Sequence, residues 1–105
     1  MITLITASPK SLLADILADI KSGHIQNVEF HSNGQHLTVT TGLYARRAGF
    51  DYQMHSNPDR IEFKLYDLSK GMTLAQQGGY HVEFLSSIMK HYGIGVRISA
   101  VSAKI

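Results

Sequence analysis

Residues 28–39 read Val-Glu-Phe-His-Ser-Asn-Gly-Gln-His-Leu-Thr-Val. At their centre, Asn33-Gly34 carries the strongest short-range signal for a tight β-hairpin, because a type I′ turn needs positive φ at both central positions. Counting outward from it sets Ser32 opposite Gln35, His31 opposite His36, Phe30 opposite Leu37, Glu29 opposite Thr38 and Val28 opposite Val39. The apolar pairs share one face and the polar pairs the other, so turn chemistry and hydrophobic pattern give the same register.

A second hairpin meets the same test. Ser56-Asn57-Pro58-Asp59 is a four-residue turn. Outward from it, Met54 pairs with Ile61, Tyr52 with Phe63 and Phe50 with Leu65 on one face. On the other, His55 pairs with Arg60, Gln53 with Glu62 and Asp51 with Lys64. Between the hairpins, residues 42–49 hold Tyr44, Arg46 and Arg47 between two glycines, as a loop or a bulged, bent strand.

The flanks supply a strand and a helix on each side. Residues 2–6 (ITLIT) are a β-branched apolar run, expected to be a strand covered on both faces. Ser8-Pro9 is an N-cap followed by the first helical position, and Leu13, Ile16, Leu17 and Ile20 mark one stripe of a helix stopped by Gly23. Thr73 and Gln76 have capping-box spacing, but Gly78-Gly79 weakens a helix begun there, so the second helix is expected from about Tyr80. Its stripe is Val82, Leu85, Ile88, Met89 and Tyr92; Gly93 stops it, with Ile94 packing back. A last strand covers residues 95–101, with Val96 and Ile98 inward and Arg97 and Ser99 outward.

The order β-α-β-β-β-β-α-β predicts an α+β, two-layer sandwich: one mixed, mostly antiparallel sheet of five to six strands with two helices on one face. The 105 residues make a single domain, 1–105. The absence of cysteine excludes disulfides, thiolate metal sites and a cysteine nucleophile. No secretory leader or membrane span is legible, so a soluble cytoplasmic protein is expected. A net charge of +2, with Arg46-Arg47 as the one adjacent basic pair, lacks the dense stripe of a duplex binder.

Function is then expected on the sheet face turned away from the helices. The registers place there Glu29, His31, His36, Thr38, Thr40, Asp51, Gln53, His55, Arg60, Glu62, Lys64 and Tyr66, together with Arg97. His31, His36 and Glu29 have the composition of a facial metal triad, but nothing in the sequence supplies the outer shell that ligating histidines need, and no metal or other cofactor is predicted. Base, acid and cation for cleaving RNA through its 2′-hydroxyl are available in His55, Glu62, Arg60 and Lys64, making a small metal-independent, toxin-type ribonuclease one reading. Tyr66 is the single aromatic on that face, which argues against a stacking platform for single strands. The preferred expectation is a non-enzymatic macromolecule-binding domain, an inhibitor or immunity-type protein. It docks on another protein through Tyr44, Arg46, Arg47, His31, His36 and Tyr66. An edge strand also offers a route to a homo-oligomer.

Overall fold

The hairpin registers set the frame of the molecule. In a computed structural model describing residues 1–32, 34–42, 45–68, 70–93, 95 and 97–103, Val28, Glu29 and Phe30 pair with Val39, Thr38 and Leu37. Every pair of the second hairpin stands as counted, from His55–Arg60 to Phe50–Leu65, and the ladder continues to Ala48–Asp67. The elements are β1 (Ile2–Ile5), α1 (Pro9–Ser22), β2 (Val28–Phe30), β3 (Leu37–Val39), β4 (Ala48–His55), β5 (Arg60–Asp67), α2 (Leu74–His91) and β6 (Ala100–Ala103).

They form an α+β fold with a six-stranded sheet in the order β2-β3-β4-β5-β1-β6, antiparallel in every described pairing. The chain's first strand lies inside the sheet, between β5 and β6. Helices cover one side of it only: Ile2 and Leu4 are fully buried while Thr3 and Ile5, facing the other way, are half-buried. The core joins Leu12, Ile16 and Ile20 of α1, Phe84 and Ile88 of α2, and the inward side chains Phe50, Ile61 and Phe63. Phe84 seals the layers, with ring centroids 4.2 Å from Phe50 and 5.1 Å from Phe63. Met54 points inward in register but lies beyond the helices and stays 46% exposed.

Local chemistry explains the helix ends. Pro9 opens α1, and Ser8 precedes it as N-cap without a side-chain bond. Gly23, at φ 83°, closes it in the left-handed conformation. Helix α2 departs from expectation. It begins at Leu74, because Thr73 accepts the Gln76 N–H while the Gln76 side chain accepts the Thr73 N–H, and the helix runs through Gly78-Gly79. The capping box and the burial of Tyr80 offset a glycine cost of about 1 kcal/mol per position. The buried stripe is Tyr80, His81, Phe84, Ser87 and Ile88. It is turned about one residue position from the expected stripe, leaving Val82 66% exposed.

Three further expectations change. The first turn closes with the Gly34 N–H on the His31 carbonyl (2.9 Å) and the His31 N–H on the His36 carbonyl (2.7 Å), rather than around a two-residue loop, while Gly34 keeps φ 72°. Thr38 is fully buried, not on the open face. Strands β3 and β4 pair at Leu37–Phe50, and next to that pair the hydroxyl of Tyr80 bridges them. It accepts the Val39 N–H at 3.1 Å and lies 3.2 Å from the Ala48 carbonyl. Thr38 Oγ1 donates to that same carbonyl at 2.6 Å. The last strand starts at Ala100, because a turn comes first: the Gly95 N–H bonds the Ile98 carbonyl. Period-two counting therefore fails for Arg97, which sits on the helix side and bonds Asp15 of α1 at 2.7 Å and Ser11 at 3.2 Å. Asn33, Tyr44, Ile94 and Val96 lie outside the described residues.

Candidate functional site

Strand alternation brings the expected site residues to the uncovered face as three groups rather than one. At the end near the second turn, His55 and Arg60 are cross-strand neighbours and Glu62 is two residues along β5. Arg60 Nε donates to Glu62 Oε2 at 2.9 Å, and its Nη1 donates to the carbonyls of Ser56 and Pro58, each at 3.0 Å. His55 Nε2 is 3.0 Å from Glu62 Oε1, an ion-pair distance without hydrogen-bond alignment. The hydrogen bond from Arg60 holds the Glu62 carboxyl below the usual carboxylate range; partial burial opposes this, and the charges of His55 and Arg60 add to it. Glu62 is thus an ionised acceptor with both oxygens engaged, and the guanidinium is committed to the turn.

In the middle of the face, Gly49 lets His36 lie against β4. A Cβ there would stand 2.4 Å from His36 Cβ and 2.9 Å from its Cγ. The imidazole is held beside Tyr66, centroid to centroid 5.4 Å, and the Lys64 ammonium sits 5.5 Å from the Tyr66 ring centre. Asp51 and Lys64 are directly opposite, as counted, but form no ion pair among the described residues. The Asp51 carboxylate accepts the Tyr52 N–H instead, at 2.9 Å. A cleft of about 150 Å³ opens here, lined by Met1, Asp51, Gln53, Glu62, Lys64 and Tyr66.

At the β2 end, Arg46 adopts φ 63° and donates from Nε to Glu29 Oε1 at 2.6 Å. His31 Nε2 donates to the Arg46 carbonyl at 3.1 Å. His31 and His36 therefore turn to different partners, although their backbones are paired. Arg47 is exposed beside Arg46. Among the described residues, no three histidine, aspartate or glutamate side chains are placed to hold a metal ion. No helix there is long and apolar enough to cross a membrane.

Sequence reasoning missed a cluster on the helix side. Asp19 of α1 receives the Tyr92 hydroxyl, the His91 Nε2 at 3.1 Å and, more loosely, the His24 Nδ1 at 3.5 Å. The Tyr92 hydrogen bond is the main cause holding the Asp19 carboxyl below its usual range, and burial together with Asp19 raises the Tyr92 hydroxyl far above its own. Seventy-three positions separate Asp19 from Tyr92, so no local spacing rule links them. The available signal was Asp19 on the polar side of one helix and His91 in the last turn of another.

His81 of α2 is buried. Its Nδ1 donates to the Gln77 carbonyl at 2.7 Å, its Nε2 lies 3.2 Å from the Met1 amine, and its ring meets Phe50 edge-on. In comparison with known proteins, the chain matches no family model, no curated protein and no solved structure.

Proposed function

We propose that this chain is a macromolecule-binding domain that docks on a partner protein through its open sheet face, in the manner of an inhibitor or immunity-type protein. One observation carries the reading: the charged side chains of that face are largely engaged with one another, around an exposed aromatic. Glu29 holds Arg46, and Glu62 holds Arg60 and His55. Tyr66 stands 41% exposed between His36 and Lys64. Proteins anchor on such sites, a large rigid side chain set among polar groups that are already satisfied. A catalytic face for RNA needs the reverse. Its base must be free to take a proton and its arginine fork free to meet a phosphate, whereas Glu62 is held by Arg60, and Arg60 by Glu62 and the turn carbonyls of Ser56 and Pro58.

The test has two arms. The partner is cross-linked in the cells that make the protein, identified, purified and titrated against the full chain. Tyr66→Ala is expected to weaken binding about tenfold or more, as for a central aromatic anchor, and Val82→Ala on the opposite side to leave it unchanged. Equal affinity for wild type, Tyr66→Ala and Lys64→Ala overturns the reading. In the second arm the chain is incubated with RNA in chelator. Degradation that His55→Ala abolishes, with the fold intact, replaces binding by catalysis.

A further inference from the structure

The helix layer carries a cleft of about 130 Å³ on the side away from the open sheet face. It lies where α1 and α2 both end, and His24, Gln26, Asn27, Ser87, Lys90 and His91 line it. Ser87 is only 6% exposed, and its hydroxyl has no hydrogen-bond partner among the described residues. A serine inside a helix normally turns back to the preceding carbonyl or out to water. Here the hydroxyl opens on the cleft, and whatever occupies the cleft, water or ligand, completes its bond.

The two imidazoles are oriented from behind. Asp19 is not part of the lining, and its carboxylate takes one nitrogen of each ring: Nε2 of His91 and Nδ1 of His24. The remaining nitrogens, Nδ1 of His91 and Nε2 of His24, have no partner among the described residues. An imidazolium that gives one N–H to a carboxylate has its second N–H for an anion. Lys90 adds an exposed ammonium, and Gln26 and Asn27 add carboxamides. Lys90 and His91 occupy the last turn of α2, where their charge also offsets the partial negative charge of the helix end.

We infer that this cleft binds a phosphate group, free or as a small phosphomonoester, with Ser87, Lys90, His24 and His91 as its donors. A tetrahedral oxyanion accepts from many directions at once, which fits a hydroxyl, an ammonium and two imidazoles converging from two segments. A planar carboxylate uses fewer of them.

The full chain is titrated by amide and imidazole NMR at fixed ionic strength with inorganic phosphate, with glycerol 3-phosphate and with acetate. Saturable shifts at His24, Asn27, Lys90 and His91 are expected with phosphate, the ester or both. Tighter saturation by the ester assigns a phosphomonoester, and equal saturation assigns phosphate itself. Ser87→Ala and the exposed Lys90→Ala are each expected to weaken binding about tenfold or more, the loss of one hydrogen bond to a charged group; Lys64→Ala on the open face changes nothing. Linear shifts without saturation into tens of millimolar, acetate binding as tightly as phosphate, or indifference of both variants overturns the assignment.

Discussion

Tyr80→Phe removes one oxygen and tests how the sheet is held together. That oxygen accepts the buried Val39 N–H and has the Thr38 hydroxyl (2.8 Å), the Val39 carbonyl (3.2 Å) and the Ala48 carbonyl (3.2 Å) within reach of its single proton. Ala48 keeps Thr38 as a donor at 2.6 Å after the substitution. The Val39 N–H is left in a dry gap with no acceptor, a cost of about 1–3 kcal/mol. A loss of about 2 kcal/mol is therefore expected, or about 8–16 °C in melting temperature for a domain near this size. Urea denaturation reads it as a lower midpoint at unchanged slope. Amide exchange gives the locality: residues 28–39 should lose protection while the β4–β5 ladder keeps its own, since Tyr80 fastens the first hairpin to the second. A change under about 0.5 kcal/mol, within the range of ordinary surface substitutions, refutes the argument that the hydroxyl bridges the strands.

Two other perturbations separate the remaining claims. Gly49→Ala places a Cβ 2.4 Å from His36 Cβ and should cost about 1–3 kcal/mol by overpacking; adding His36→Gly should recover much of that in a double-mutant cycle, and independent, additive effects would show that the two residues do not touch. For His81, burial is the main cause lowering its pKa, opposed by its bond to the Gln77 carbonyl. The unfolded chain therefore takes up this proton at higher pH than the folded one, so the stability linked to His81 is complete above the unfolded value of about 6.5 and is lost as pH falls through the folded value. Urea midpoints from pH 8 to pH 5 should fall less steeply for His81→Gln than for wild type, and parallel profiles would contradict a buried neutral imidazole.

Both hairpins were legible because turn residues and apolar alternation are local, and a slip of one residue would have inverted every side chain between the core and the open face. Helix α2 was legible only in part. Gly78-Gly79 and the capping box at Thr73 conflict locally, and the conflict is decided by tertiary burial of Tyr80 and Phe84, to which no local propensity refers. Thr38 was misplaced for a related reason: alternation predicts its direction in an intact ladder, and β3 and β4 separate where Tyr80 enters. Arg97 was misplaced because the turn at Gly95 shifts the start of β6.

A polar group in a folded chain is most informative by what it lacks. On the open face Glu29 pairs with Arg46 and Glu62 with Arg60, so these charges are spent locally, and His55 Nε2 is the buried side-chain atom left without a hydrogen bond among the described residues. Binding there must draw on shape and on Tyr66. On the helix side the balance reverses. Asp19 is fully engaged, but the engagement points two imidazoles outward from it, next to the cleft-facing Ser87 hydroxyl, which makes no hydrogen bond among the described residues. Side chains satisfied in advance suit a protein surface, which contributes area and excludes water. Side chains oriented yet incomplete suit a small ligand, which contributes the missing acceptors. The two faces of this sheet-and-helix sandwich are therefore open to separate tests: Tyr66→Ala should leave phosphate binding intact, and Ser87→Ala should leave partner binding intact. Loss of both activities in either variant would mean that the two sites are energetically coupled through the core, against the expectation that distant substitutions without shared partners act independently.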